Sequence, residues 1–191
     1  MDQDYGAISV LSSNGAFVSR FGSQGAGNGQ LSHPGGMAID ASGNIWIADT
    51  QNNRIEEFSA NGTYLSQFGS FGSGNGQFNA PYALAIDASG NIWVMDVGHG
   101  RVQEFSSSGA YLSQFGSPGT GNGQFFASQY GYSSIAIDAH GNIWVTDSGN
   151  NRVEDSAQPA PIFPNSALKA RATGSSIGPP ASYSTSTAIF G

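Results

Sequence analysis

The chain has 191 residues, of which only 10% are charged, and it combines 28 glycines with no cysteine. Its net charge of −7, with only six Lys and Arg residues, argues against a nucleic-acid partner, because phosphate binding requires clustered cations. No basic run is present that could bind an acidic membrane surface. The absence of cysteine excludes disulfides, thiolate metal sites and cysteine nucleophiles.

The first residues, Met1 to Tyr5, lack the basic and apolar regions of a signal peptide. No apolar run approaches the roughly 20 residues that cross a bilayer. The polar positions are mostly Ser, Asn, Gln and Thr, a composition typical of many secreted or cell-surface β proteins. We therefore expect a soluble chain that works outside the cytoplasm, although the sequence shows no export signal.

Residues 5–22 predict two short strands, Ala7–Leu11 and Ala16–Phe21, around a Ser-Ser-Asn-Gly turn. The same pattern recurs at residues 58–69 and 105–116, where it forms the second half of a longer repeat. We therefore expect the first two strands to be the outer half of a repeat unit.

A glycine-rich connector follows each of these segments, with the pattern S-x-G-x-G-N-G-Q-[LF] at residues 23–31, 70–78 and 117–125. The glycines are expected to supply positive φ angles in tight links between repeats. A phosphate-binding loop would need a helix after it, and the segment that follows here predicts a strand.

The inner half of the repeat begins with three near-copies of one stretch, at residues 39–49, 86–96 and 137–147. Each copy predicts a short apolar strand ending in Asp, a hairpin turn with Gly at its left-handed position, and a second strand with alternating faces. A second turn and a third strand follow, the latter at Ile55–Phe58 in the first copy. No part of residues 1–156 shows a helical period.

The last unit departs from the others. Its tryptophan follows the previous one by 51 residues, where the earlier spacing is 47, and the four extra residues lie in an aromatic loop at 126–132. Residues 157–191 contain five prolines with Ser, Thr, Ala and Gly, and we interpret them as a separate low-complexity tail.

Four short strands in a repeat of about 47 residues indicate a propeller blade. The stretch Gly-Asn-Ile-Trp-Ile-Ala-Asp-Thr-Gln-Asn-Asn-Arg-Ile at 43–55, together with the connectors, resembles the NHL repeat over residues 5–156. The resemblance implies an all-β fold, namely a partial β-propeller of about three to three and a half four-stranded blades without a helical core. The blades would be a partial one at 5–22, two at about 35–69 and 82–116, and an incomplete one at about 133–156.

The resemblance also implies that the repeated polar residues are mostly structural. We expect the Asp that ends the second strand to pair with the Arg that opens the third, as partly exposed pairs that stabilise by about 1 kcal/mol each. The tryptophans are expected to pack between blades, and the first Asp of each hairpin to cap its turn, although these carboxylates could also form a ring. The structural set is Asp40, Trp46, Asp49, Arg54, Asp87, Trp93, Asp96, Arg101, Asp138, Trp144, Asp147 and Arg152.

Closed propellers need at least four blades, and NHL proteins usually resemble six-bladed ones. Three explanations fit the smaller count here: a fragment of a longer propeller, two chains that complete one six-bladed ring, or open arcs that stack. The exposed edges of an isolated arc favour some completing partner, so additional blades from the same or another chain are expected.

No catalytic, cofactor-binding or metal-binding residue is predicted. Relatives of this family include metal-dependent lyases and hydrolases, but His33, His99 and His140 lie at non-equivalent repeat positions and would not converge on the propeller axis. Local function is expected where the copies differ. The candidate binding residues are His33, His99, Phe126, Tyr130 and Tyr132.

The leading hypothesis is a non-catalytic propeller scaffold that binds protein or carbohydrate ligands or further copies of itself. One alternative is a fragment of a metal-dependent propeller enzyme, lyase- or lactonase-like, for which Ca²⁺ or Zn²⁺ would be the cofactor. Another is a structural subunit of a larger assembly. Nucleic acid and membranes are not expected partners.

Overall fold

A computed structural model describes residues 6–128 and 132–155 of the chain. Within this part, each strand of a blade pairs antiparallel with its neighbour in sequence, and the blades follow one another as a propeller arc. The expected all-β fold and partial propeller are thereby confirmed. No helix of the described residues is long and apolar enough to cross a membrane.

The first two blades are a two-stranded sheet and a complete four-stranded sheet. The first is a hairpin of β1 (Ile8–Leu11) and β2 (Phe17–Phe21). The second contains β3 (Pro34–Ile39), β4 (Ile45–Asp49), β5 (Arg54–Phe58) and β6 (Tyr64–Phe68).

The third blade again has four strands, and the fourth shows three within the described residues. The third contains β7 (Pro81–Ile86), β8 (Ile92–Asp96), β9 (Arg101–Phe105) and β10 (Tyr111–Phe115). A short parallel pair, β11 (Ser117–Pro118) and β12 (Gln124–Phe125), closes the connector that follows. The fourth blade contains β13 (Ile135–Ile137), β14 (Ile143–Asp147) and β15 (Arg152–Asp155). The predicted tail at 157–191 lies outside the described residues.

The second, third and fourth blades each contain one short element that the sequence pattern did not indicate. A single turn of 3-10 helix joins the second and third strands, at Thr50–Asn52, Val97–His99 and Ser148–Asn150. The residue after each turn has a left-handed backbone, as at Asn53 (φ 56°) and Gly100 (φ 56°), and its N–H closes the turn. Three residues are too few for a helical period to appear in sequence, so only a turn was predicted there.

The blades are held together by apolar side chains that face their neighbours. In β4, Ile45 and Ile47 pack toward the first blade, while Trp46 and Ala48 pack toward the third. This alternation follows from the two-residue period of a strand, which sends successive side chains to opposite faces of the sheet. The core therefore lies between the blades, in successive layers along the arc.

Candidate functional site

The blades have two distinct ends. Pairing of Pro34 with Asp49 and of Ile39 with Ile45 places the start of β3 and the end of β4 on one side. The connectors and the 3-10 turns lie at this side, which we call the connector end. The hairpins that begin with Asp40, Asp87 and Asp138 lie at the opposite side, the turn end.

Arg54 organises the connector end of the second blade. Its Nε donates to Oδ2 of Asp49 over 2.8 Å, which fixes the plane of the guanidinium. The remaining donors reach the connector and the outer strand: Nη1 donates to the Ala26 carbonyl and to Oε1 of Gln67, and Nη2 donates to the Gly27 and Gln30 carbonyls. A planar guanidinium with five N–H donors can bridge these acceptors, whereas the compact ammonium of lysine has only three donors and no planar fork.

The same junction recurs in the next two blades. Arg101 contacts Asp96, and Arg152 contacts Asp147, each with further donation to connector carbonyls. The carboxylates are almost fully buried, and Arg54 and Arg101 are each only 7% exposed. The expectation of partly exposed pairs was therefore wrong for the first two pairs, because the connector folds over each of them and removes it from water, whereas the Arg152 side chain is 12% exposed.

The carboxylate of each pair also accepts hydrogen bonds from other groups. Oδ1 of Asp49 accepts the N–H of Ser32 over 2.6 Å, and Oδ2 accepts Nδ2 of Asn52 over 2.7 Å. Asp96 and Asp147 accept the corresponding N–H groups of Asn79 and Phe126. Each of these buried carboxylates therefore makes its hydrogen bonds with groups of its own blade and connector.

At the turn end, Asp40 caps its own hairpin. Its Oδ1 accepts the N–H groups of Ser42 and Asn44, and its Oδ2 accepts the Asn44 amide and the indole N–H of Trp46. Desolvation opposes ionisation, but these hydrogen bonds outweigh it and lower the pKa of Asp40.

Asp87 and Asp138 repeat this arrangement, each accepting the indole N–H of its own tryptophan, Trp93 or Trp144. In both carboxyls desolvation again opposes ionisation and the hydrogen bonds outweigh it, lowering the pKa of Asp87 and bringing that of Asp138 to about 2. Each carboxylate thus serves its own turn.

The tryptophan rings lie on the blade face that meets the following blade. Trp46 is 3% exposed and shares a core cluster with Leu84 and Ile92 of the third blade. Its ring centroid lies 6.1 Å from that of Phe68. Trp93 occupies the matching place between the third and fourth blades, with its centroid 6.2 Å from that of Phe115.

Two of the candidate histidines lie at the connector end. His33 is exposed and has a left-handed backbone (φ 49°) just before β3. His99 replaces the asparagine of the other blades: its Nδ1 lies 3.0 Å from Oδ2 of Asp96, where Asn52 donates to Asp49 in the second blade. His140 lies at the turn end and is exposed, so the three histidines are distributed over both ends of the arc.

The described residues of the aromatic insertion also lie at the connector end. Phe126 is 46% exposed, and its ring fills the space beside Gly149 so closely that a Cβ there would overlap it. Tyr132 is 72% exposed and meets Tyr82 edge-on, with ring centroids 5.5 Å apart. Tyr130 lies outside the described residues.

Tyr82 was not among the predicted binding residues, although the sequence shows it as a departure from the repeat. In the repeat it takes the position that Gly35 holds in the second blade. A Cβ at Gly35 would collide with the backbone oxygen of Tyr82, so the two inner strands approach closely on that side. Tyr82 itself turns toward the fourth blade, where the insertion supplies its partner.

Glu56 is a further buried group that sequence reasoning missed. It is 0% exposed, and neither carboxyl oxygen has an aligned hydrogen-bond donor within the described residues. Its nearest cation is Nη2 of Arg54, 2.9 Å from Oε1. Desolvation dominates the electrostatic attraction of Arg54 and raises the pKa of Glu56 to about 7.

The equivalent residue of the third blade shows what this position accommodates. Gln103 accepts the N–H of Gly76 with its Oε1 and donates from Nε2 to the Gln77 carbonyl over 2.8 Å. A neutral side chain with one donor therefore satisfies this position. Within residues 6–128 and 132–155, no three His, Asp or Glu side chains are grouped so that they could hold a metal ion.

Known proteins share parts of this sequence and this architecture. A family model described as NHL repeat matches residues 31–58 and 133–154. Over 41 residues, 22% of this chain and 5% of the other, the sequence is 49% identical to the E3 ubiquitin-protein ligase TRIM71 of Rattus norvegicus.

Among solved structures, a streptogramin B lyase matches with a TM-score of 0.55 and 18% identity, covering 80% of this chain and 48% of that one. The virginiamycin B lyase of Staphylococcus aureus matches with a TM-score of 0.53 and 16% identity, covering 81% of this chain and 50% of that one. The chain thus spans about half the length of these structures, and the likeness shows the fold alone.

The fold and the repeated junctions define a β-propeller segment built from successive blades. Two of its segments match the NHL-repeat model, and the chain is similar to NHL-repeat proteins over those segments.

Proposed function

We propose that this chain is a non-catalytic NHL-repeat scaffold that binds a protein or carbohydrate ligand at the connector end, outside the cytoplasm. One observation carries the proposal. The polar residues that recur in the second, third and fourth blades, such as Asp49, Arg54 and Asp40, form hydrogen bonds within the blade and with its connector. The residues that break the repeat leave exposed aromatic surface at one end.

The chemistry of that surface suits an uncharged ligand. Tyr82 and Tyr132 present an edge-to-face aromatic pair, of which Tyr132 is largely exposed. Tyrosine contributes a rigid apolar face and a hydroxyl, which is why it is enriched where proteins bind other molecules. The aromatic pair can pack against the apolar face of a sugar ring or against a peptide side chain.

A glycan array and a peptide array, both probed with the full chain, test this proposal. We expect a subset of spots to bind, and Tyr132→Ala or Tyr82→Ala to reduce that binding by about tenfold or more, as for loss of an aromatic anchor. Leu65→Ala is the matched control, because Leu65 is 47% exposed on the outer strand β6 and far in sequence from the insertion. Binding that both tyrosine variants retain would contradict this site.

The similarity to lyases motivates a second candidate, a fragment of a metal-dependent enzyme. Calorimetric titration with Ca²⁺ and with Zn²⁺ distinguishes the two functions. Tight binding that Asp87→Asn abolishes, together with turnover of a test substrate, would favour the enzyme. The hydrogen bonds that Asp87 accepts within its own turn favour the scaffold.

A further inference from the structure

The connector end of the third blade differs from that of the second at two surface positions. One is the second residue of the connector, and the other is the last residue of the 3-10 turn. The second blade has Gln24 and Asn52 there, and the third has Phe71 and His99. Phe71 is 71% exposed, so its ring adds little to the packing between blades. A phenyl ring and an imidazole thus replace two amide side chains.

In the second blade, the turn residue contacts the connector. Nδ2 of Asn52 donates to Oδ2 of Asp49 over 2.7 Å and to the Gly25 carbonyl over 2.8 Å. Asn150 of the fourth blade donates in the same two directions. Because Gly25 directly follows Gln24 in the chain, the two positions that differ in the third blade are neighbours in space.

The third blade keeps the backbone of this arrangement. Gly72 has a φ of 149°, close to the 154° of Gly25. Phe71 makes a parallel bridge across its connector to Phe78, as the first connector does at the matching position. Nδ1 of His99 takes the place of the asparagine amide on the blade carboxylate. His99 therefore lies beside Gly72, and Phe71 is the adjacent residue of the connector.

His99 presents different hydrogen-bonding groups from those of asparagine. Its Nδ1 lies 3.0 Å from Oδ2 of Asp96, which also accepts Nε of Arg101, so Nδ1 is the donor and Nε2 of the neutral ring carries a lone pair. The side chain is 27% exposed, which allows a ligand to approach it. Within residues 6–128 and 132–155, no side chain donates to the Gly72 carbonyl, whereas Asn52 occupies the matching carbonyl of the second blade. The exchange therefore provides two acceptors beside an aromatic ring.

The segments that carry these acceptors contain no fully charged side chain. Neither the connector at 70–78 nor the turn at 97–100 contains Asp, Glu, Lys or Arg. Ser70 and Ser73, both exposed, add hydroxyl groups that can donate or accept. An aromatic face, two acceptors and two hydroxyls fit a ligand that is uncharged, carries several O–H donors and is apolar on one face.

We propose that Phe71, His99 and the Gly72 carbonyl bind one sugar ring of a neutral oligosaccharide. The C–H face of the sugar packs on Phe71, and two of its hydroxyl groups donate to Nε2 of His99 and to the Gly72 carbonyl. A sugar ring combines an apolar face with neighbouring hydroxyl groups, which the side chains of a peptide do not. This combination is the reason for choosing carbohydrate as the ligand class.

The site extends the ligand-binding surface of the connector end. The Gly98 N–H donates to the Asn79 carbonyl over 2.9 Å, so the 3-10 turn lies beside the segment that leads into β7 and Tyr82. This proximity allows one oligosaccharide to contact the Tyr82–Tyr132 pair with one ring and Phe71 with another. The inference rests on the proposed function for the end at which the ligand binds, and it adds the class of ligand and a second set of contacts.

Variants that restore the residues of the second blade test this site. His99→Asn should keep the hydrogen bond to Asp96 and cover the Gly72 carbonyl, and Phe71→Gln reinstates the residue of the first connector. Both should keep the melting temperature, because the same residues stand in the neighbouring blade. Each should reduce binding of the full chain to an array of neutral glycans by about tenfold, whereas Phe71→Tyr, which keeps an aromatic face, should retain it.

Gln24→Ala is the matched control, since Gln24 is exposed at the same connector position of the second blade, and it should leave binding unchanged. Equal glycan binding by His99→Asn, Phe71→Gln and the original chain would overturn this site. In that case a loss of binding in Tyr132→Ala would leave the proposed function standing. Binding to a peptide array but to no glycan would overturn the choice of carbohydrate, and binding to neither array would overturn both proposals.

Discussion

The arginine of each repeat joins several parts of its blade through hydrogen bonds. Arg54 links its own strand, the outer strand and the preceding connector through five hydrogen bonds. Because its partner Asp49 is buried, the contribution of the pair to the free energy of unfolding differs from that of a surface salt bridge. Removing one member leaves an uncompensated charge in the core, which costs far more than the pair contributes over an apolar replacement.

Arg54→Ala is accordingly expected to lower the free energy of unfolding by about 3–5 kcal/mol, since Asp49 would remain buried without its cation. Arg54→Lys keeps the charge and loses the planar fork, so it should fall between the alanine variant and the original chain. Urea denaturation of the three proteins gives the order. An alanine variant within about 0.5 kcal/mol of the original would show that the junction is dispensable.

Glu56 introduces a pH dependence into the same blade. Its pKa is raised from 4.5 to about 7, so between these two values the folded state binds more protons than the unfolded state. The contribution of Glu56 to stability is therefore fully favourable below about pH 4.5 and declines as the pH rises to about 7. Arg54 and Asp49 are the charged groups that act on it, the first lowering and the second raising its pKa.

Glu56→Gln should remove this decline, so that the variant is more stable than the original chain at pH 8 by up to about 3 kcal/mol and nearly equal to it at pH 4.5. Gln103→Glu is the reciprocal variant and should create a second decline in the third blade. Denaturation curves between pH 4 and pH 8 measure both. A residual slope is expected from Glu154, whose pKa burial also raises. Parallel curves for Glu56→Gln and the original chain would contradict this account.

At the scale of the element, the outer hairpins show how one contact is repeated along the arc. Gly62 and Gly15 have nearly the same backbone, with φ of 81° and 82°, but only Gly62 lies beneath a phenylalanine ring. The two glycines therefore separate the cost of a left-handed backbone from the cost of a steric overlap.

Gly62→Ala and Gly15→Ala should both lose about 1 kcal/mol from the backbone, and Gly62→Ala should lose a further 1–3 kcal/mol because the new methyl group meets Phe21. The measurement is urea denaturation of both variants and of the original chain. Equal losses at the two positions would mean that the ring moves aside without cost.

Much of each element could be predicted from the sequence, because its causes are local. The Asp40 hairpin needs a carboxylate, a left-handed glycine and an asparagine within five residues, and the spacing specifies all three. The burial of Arg54 could not be predicted, since it depends on a connector 24–28 residues earlier folding across the guanidinium. The Tyr82–Tyr132 contact likewise depends on the path of an insertion that has no copy elsewhere in the repeat.

At the scale of the whole molecule, the blades divide their residues between two tasks. The recurring Asp, Arg and Trp side chains hold each blade and its connector, and they repeat because each blade makes the same contacts as the last. Three residues that depart from the repeat, His99, Tyr82 and Tyr132, lie at the connector end. Our central claim is that ligand binding depends on these non-repeated residues and that stability depends on the repeated ones.

A comparison of two variants, Tyr132→Ala and Arg101→Lys, tests that claim most directly. Each is assayed for array binding and for thermal melting. We predict that Tyr132→Ala loses binding and keeps its melting temperature, because the side chain is 72% exposed. Arg101→Lys should melt at a lower temperature and, below that temperature, bind as the original chain does. Loss of binding in the folded Arg101→Lys protein, with Tyr132→Ala unaffected, would contradict the claim.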